Sequence, residues 1–237
     1  MNKATRTLLT EAAGQPNQNK KDLFIRQYRK MYSKPTETTA KFILSQFPQI
    51  RWYVWAFSAA VILFAVLGLM MKTDETAVIV SALMPFVSTL GVLEEFRSKQ
   101  HGMIELESVT NVSFRGLYFA RVSCIGAVHL AVLALLTMLL GSASKSGYLV
   151  IGAQITIPYL TAAVINTKIA RTQFGRKNIF ACLTVTVLVS VLAAALTGQT
   201  ELAETLPPLM WVVVPAVLLF AECYEIRGTL KEIYVWK

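Results

Sequence analysis

The sequence predicts an all-α, polytopic membrane protein: six transmembrane helices preceded by an amphipathic N-terminal cytoplasmic segment. Three observations lead there. Of the 237 residues, 54% are hydrophobic and only 16% are charged, where a soluble domain has about 25% charged. Apolar runs near 20 residues recur along the chain, and at 1.5 Å rise about 20 residues cross a hydrocarbon core of about 30 Å. The basic residues crowd into alternate polar segments, and that asymmetry sets the orientation of membrane helices.

The chain opens with a polar stretch, 1–20, containing Gly14, Pro16 and several Gln and Asn. It reads as a tail too polar to pack. From Lys20 to Ser33 the composition turns basic and amphipathic, with Leu23, Phe24, Tyr28, Met31 and Tyr32 at helical spacing. Pro35 ends that helix, because the residue before a proline avoids the helical region. Thr36 is placed to cap a second helix carrying Ala40, Ile43, Leu44 and Phe47. Both helices are expected to lie along lipid headgroups. Residues 1–51 thus form a basic cytoplasmic tail, 52–221 a transmembrane domain and 222–237 a C-terminal cytoplasmic tail.

Arg51-Trp52-Tyr53-Val54-Trp55 is an interfacial aromatic cluster that opens the first span, about 52–71. The others are expected at about 76–93, 117–140, 148–166, 179–196 and 209–221, the last short. Of the 23 Lys and Arg, only Lys72 and Lys145 fall in the loops opposite the termini. Both termini are therefore expected in the cytoplasm and the chain in the plasma membrane. The formal charge of +9 needs no nucleic-acid partner on this reading. Pro85, Pro158 and Pro215 fall inside the second, fourth and sixth spans. Each removes a backbone donor, and neighbouring helices must take up the freed carbonyl. They are candidate hinges, or kinks of the ordinary kind.

Chemistry is sparse. No GxxxxGK[ST], HExxH, GxSxG or CxxC occurs, so the chain carries no ATPase motif and no catalytic residues are assigned. No cofactor or metal is implied. Cys124, Cys182 and Cys223 read as small buried apolar residues. No acid or base sits at the centre of a span, which argues against ion coupling and for a hydrophobic or peptide cargo. His129, in the third span, reads as hydrogen-bonded to a neighbouring helix.

The one polar stretch between long spans that carries a pattern is 94–115. From Gly102 it runs Gly-x-x-Glu-Leu, then Thr110, Val112-Ser113, Arg115 and, at the membrane edge, Arg121. Met103, Leu106 and Thr110 share one helical face, and Ser113 can cap the helix that follows. Arg115 and Arg121 are expected near lipid phosphates.

This pattern resembles the cytoplasmic loop of type-2 ABC transporter permeases. In that family a glycine, a glutamate, a threonine, Val-Ser and an arginine stand at the positions of Gly102, Glu105, Thr110, Val112, Ser113 and Arg115. Arg121 stands where the family has lysine, Glu107 where it has an apolar residue and Asn111 where it has proline. Membrane proteins of Gram-positive bacteria share a similar loop. The resemblance implies that Glu95, Gly102, Glu105, Leu106, Thr110, Val112, Ser113, Arg115 and Arg121 form a coupling helix and its flanks. It also implies a separate ABC ATP-binding subunit as partner, a homodimer or a homologous second permease chain, and contact with membrane lipids. The implied activity is export of an amphipathic, lipid-like or peptide substrate. The other reading of the sequence is a membrane-anchored regulatory protein that works through its basic N-terminal tail.

Overall fold

The computed structural model describes residues 21–24, 26, 39–71, 75–100, 114–144, 147–172, 175, 178–199 and 207–232. The chain divides into two units, Met1–Thr38 and Thr39–Lys237. In the first, 21–24 are helical, and Leu23 and Phe24 are exposed. Arg26 is helical as well, and Tyr28, Met31, Tyr32 and the expected cap Thr36 lie outside the described residues. In the second, the described residues are helical with no strand among them. The helices are α1 (Thr39–Gln46), α2 (Trp52–Met70), α3 (Thr76–Gln100), α4 (Phe114–Ala143), α5 (Gly147–Arg171), α6 (Ile179–Thr197) and α7 (Met210–Glu232). A 3-10 turn, Phe47–Gln49, joins α1 to the chain before α2.

Five of these, α2 to α6, are long and apolar enough to cross a membrane. α7 differs because its apolar run, 210–221, passes without a break into Glu222, Glu225 and Arg227. Its described helix therefore holds too few consecutive apolar residues to count by composition. Large apolar side chains such as Phe180, Leu188, Val191, Val217 and Phe220 are exposed around the bundle. In water so much apolar surface would drive association; in hydrocarbon it is an ordinary lipid face.

Without a hydrophobic force between helices in lipid, packing and polar contacts hold the bundle. The buried stripe of α2 is Val54, Ser58, Val61, Ala65 and Gly68, and that of α6 is Cys182, Thr186, Val189 and Ala193. Both follow alternating steps of four and three, the spacing of a helix that lies along its neighbours. α5 is the central helix and packs against α3, α4, α6 and α7. The largest apolar cluster joins Val61, Met84, Leu136 and Ile155 from α2, α3, α4 and α5. α1 sits against α4, where Ile43 joins Ile50, Val54, Cys124 and Ile125, while Leu44 and Phe47 stay exposed.

A polar knot ties three helices. Asn166 Nδ2 on α5 donates to Thr89 Oγ1 on α3 at 2.8 Å and to Thr186 Oγ1 on α6 at 3.2 Å, and the two hydroxyls lie 2.6 Å apart. Replacing Asn166 with Leu is expected to lower bundle stability by about 0.6–2 kcal/mol, the range for interhelical hydrogen bonds in membranes. Unfolding in mixed detergent micelles measures it, and an unchanged midpoint would show that packing alone joins these helices.

The prolines sit where the sequence put them, inside unbroken helices. Pro158 leaves the Gln154 carbonyl without its helical donor, and Ser81 Oγ from α3 donates to it at 2.7 Å. That is the outside satisfaction expected of a membrane-helix proline.

α3 runs past the expected end of its span. Glu94, Glu95 and Phe96 belong to the same helix, because no proline or glycine interrupts it before Gly102. Phe96 is fully buried, with Ala170 in its cluster and an edge-on contact to Tyr118 at 6.1 Å between centroids.

Candidate functional site

A cavity of about 600 Å³ opens between α3, α4, α5 and α7. Its walls are mostly apolar, with Ile125, Leu130, Leu133, Leu160 and Leu219 among them. Its polar groups include Ser88 and Glu95 from α3, His129 and Thr137 from α4, Thr156 and Tyr159 from α5 and Glu222 from α7. Ser88, Gly91, Val92 and Glu95 share one face of α3 by their three- and four-residue spacing.

Gly91 makes room for the imidazole. A Cβ at that position would lie 2.7 Å from His129 Cε1 and 3.1 Å from Ile125. His129, itself buried, is joined to the next helix through Nδ1, 2.9 Å from the Tyr159 hydroxyl. This is the interhelical bond expected of a lone buried histidine.

The carboxylates are held at the basic end of the bundle, the end bearing Arg121, Lys168, Arg171 and Arg227. Thr167 Oγ1 donates to Glu222 Oε1 at 3.1 Å, and one turn further on Arg171 pairs with Glu225. Gly228 lets the Arg171 guanidinium lie against α7. These contacts fix α7 to α5 and aim Glu222 at the cavity. The Glu95 and Glu222 carboxyls are close enough to interact electrostatically. Glu95 Oε2, Glu222 Oε2, His129 Nε2 and Ser88 Oγ are all buried and have no hydrogen-bond partner among the described residues.

A second cavity, about 260 Å³, lies between α3, α5, α6 and the first turn of α7. Among its lining groups, Ser81 bonds the Gln154 carbonyl and lies 3.1 Å from Thr197 Oγ1, while the buried Trp211 Nε1 has no partner among the described residues.

Of the residues expected in the coupling loop, Gly102, Glu105, Leu106, Thr110, Val112 and Ser113 lie outside the described residues, as do Glu107 and Asn111. Arg115 lies in the first turn of α4. Arg121 is buried, only 8% exposed. Glu95 lines the cavity and is not part of a loop. Cys124 and Cys182 are buried as expected, but Cys223 is exposed and lines the cavity. Buried acids do stand at the ends of the apolar runs. Glu94 is 2% exposed and accepts a hydrogen bond from the Tyr53 hydroxyl at 3.3 Å, and Glu95 and Glu222 each bury a carboxylate oxygen.

Glu222 was assigned to a tail, and its place in the cavity was missed. The signal was its spacing: Leu219, Glu222, Cys223 and Ile226 fall on one helical face continuous with the apolar run. Among the described residues, no three His, Cys, Asp or Glu side chains come close enough to hold a metal ion. In comparisons with protein-family models, curated proteins and solved structures, the chain matches none.

Proposed function

We propose that this chain is the membrane-spanning permease subunit of an ABC transporter, exporting an amphipathic cargo with ATP hydrolysed by a separate subunit. The observation that carries the transport reading is the cavity among four helices, apolar along its walls and acidic at one end. A protein that only anchors a tail has no use for it. In this reading α7 is a sixth crossing. Its 23 residues make a helix of about 34 Å, and it lies along α5, with Trp211 near Pro158 and Glu222 bonded to Thr167. Six crossings put both termini on the basic side, which is the cytoplasm by the charge bias. The 94–115 segment then faces the cytoplasm, where an ATPase can dock on it, and Pro85, Pro158 and Pro215 are the candidate flexing points. A second copy or a homologous chain completes the permease.

The test is co-purification of the full chain from its native membrane. An ABC ATP-binding subunit is expected to co-purify, to be lost when Glu105 and Leu106 are changed to Ala, and to be retained when 1–33 is deleted. A chain that never retains an ATPase, or loses it only with 1–33, defeats this reading. The second outcome would support the tail-tethering reading, which Met1–Thr38 as a separate unit favours.

A further inference from the structure

We propose that the cavity between α3, α4, α5 and α7 binds an amphipathic organic cation. Its charged centre is held by Glu95 and Glu222, and its apolar body lies against the walls from α4 and α5. This names the class of cargo within the transport reading and rests on that reading for movement of the ligand, though not for its binding.

Four facts point the same way. The volume, about 600 Å³, lies within the roughly 300–1,000 Å³ typical of small-molecule sites. Two carboxylates on different helices converge there, each with an oxygen that has no partner. Two buried acids facing one cavity carry negative charge only at a cost, and a bound cation offsets it. His129 supplies an independent sign. It is 3% exposed, lines the same cavity, and its Nε2 is unpartnered although Nδ1 is engaged. More than about 90% of buried polar groups in proteins are paired, so several unpaired ones in one cavity mark a place that receives a polar ligand group.

The chemistry narrows the class. An anion would meet two carboxylates and is repelled. A neutral lipid would leave both acids unmatched, with their desolvation uncompensated. A bare metal ion lacks a set of three close ligands among the described residues, and it would leave the apolar walls without contact. A protonated or quaternary amine, or a phosphonium, carrying a hydrophobic body satisfies both the acidic end and the walls. Thr167 occupies only Oε1 of Glu222, so the other oxygen stays available to the cation.

The test uses the purified full chain in lipid nanodiscs, with radiolabelled tetraphenylphosphonium as the probe and empty nanodiscs as the lipid background. Saturable binding at one site per chain is expected, weakened about tenfold or more by Glu95→Gln and by Glu222→Gln, as when one partner of a buried charge pair is neutralised. Neutral triphenylphosphine oxide and anionic tetraphenylborate are expected not to compete. Binding that both Gln variants leave unchanged, or competition by the neutral compound as strong as by the cation, overturns the proposal. A second readout needs no acidic variant. Cys223 is exposed at the cavity while Cys124 and Cys182 are buried. Saturating tetraphenylphosphonium is expected to slow N-ethylmaleimide labelling of Cys223 severalfold, and an unchanged rate overturns the site. The two readings fail separately. Cation binding without a co-purified ATPase supports the site and removes the ABC partner, whereas a co-purified ATPase without cation binding overturns the site alone.

Discussion

Phe96→Ala is expected to lower the stability of the bundle by about 2.5–4 kcal/mol. The estimate follows from cavity cost and not from transfer. In water a Phe→Ala change in a core costs about 3–5 kcal/mol, but part of that is the loss of burial from solvent. In lipid the unfolded reference also surrounds the ring with apolar atoms, so that part falls away. What remains is a void of about 100 Å³ at about 24 cal/mol per Å³. The lost edge-on contact with Tyr118 adds about 0.5–1.5 kcal/mol if the site cannot relax. Phe96 is fully buried and clusters with Ala170 near the end of α5, so little neighbouring side chain can swing in. Phe96→Leu should recover most of the loss. Unfolding in mixed micelles measures both variants, and a loss under about 1 kcal/mol for Ala would mean that the end of α3 is not anchored there. The same variant probes function, because Phe96 is the root of the segment proposed to meet the ATPase. Loosening it should weaken the coupling of ATP hydrolysis to transport more than ATPase retention.

Hydropathy made the lipid-facing helices legible. The spans expected at 52–71 and 179–196 are Trp52–Met70 and Ile179–Thr197. Both are bounded by residues that stop a helix or leave the hydrocarbon: the polar sequence Lys72-Thr73-Asp74-Glu75, and Asn178 and Gly198 at the two ends of α6. α3 continues past its apolar run because charge ends such a run, whereas Glu, Phe, Arg, Lys and Gln do not end a helix. Run and helix differ likewise at the C-terminal end, where the sequence reads Glu222 as the start of a tail and α7 continues to Glu232.

The cavity was illegible for a different reason. Each of its polar residues is ordinary alone, and the site exists only because α3, α4, α5 and α7 bring them to one level. A lone histidine predicts a partner but not which one. That Tyr159 receives it depends on Gly91 letting α4 approach α3, and nothing in a linear pattern separates that glycine from one that merely tolerates packing. The loop that drew most attention in the sequence lies mainly outside the described residues. Glu95 near the end of α3 and Glu222 midway along α7 are the acids that line the cavity.

Ser81→Ala and Pro158→Ala are expected to be strongly non-additive. Ser81→Ala alone removes the only described donor to the Gln154 carbonyl. An unpaired carbonyl away from water costs about 1–3 kcal/mol, and hydrocarbon offers no substitute donor. Pro158→Ala alone restores an N–H at the position whose helical partner is Gln154, while Ser81 can keep its bond, so its own effect should stay within about 1 kcal/mol. In the double variant the restored N–H satisfies Gln154 without Ser81. The Ser81→Ala penalty should then shrink to what the Thr197 contact contributes, about 0.6 kcal/mol by the average for interhelical hydrogen bonds. The cycle should therefore show a coupling of about 1–2 kcal/mol. Additive effects would mean that Ser81 acts through Thr197 and not through the proline, and Thr197→Val read beside it separates the two. The outcome also bears on hinging. A carbonyl held across two helices resists flexing at Pro158, so strong coupling would leave Pro85 and Pro215 as the places where the bundle can bend.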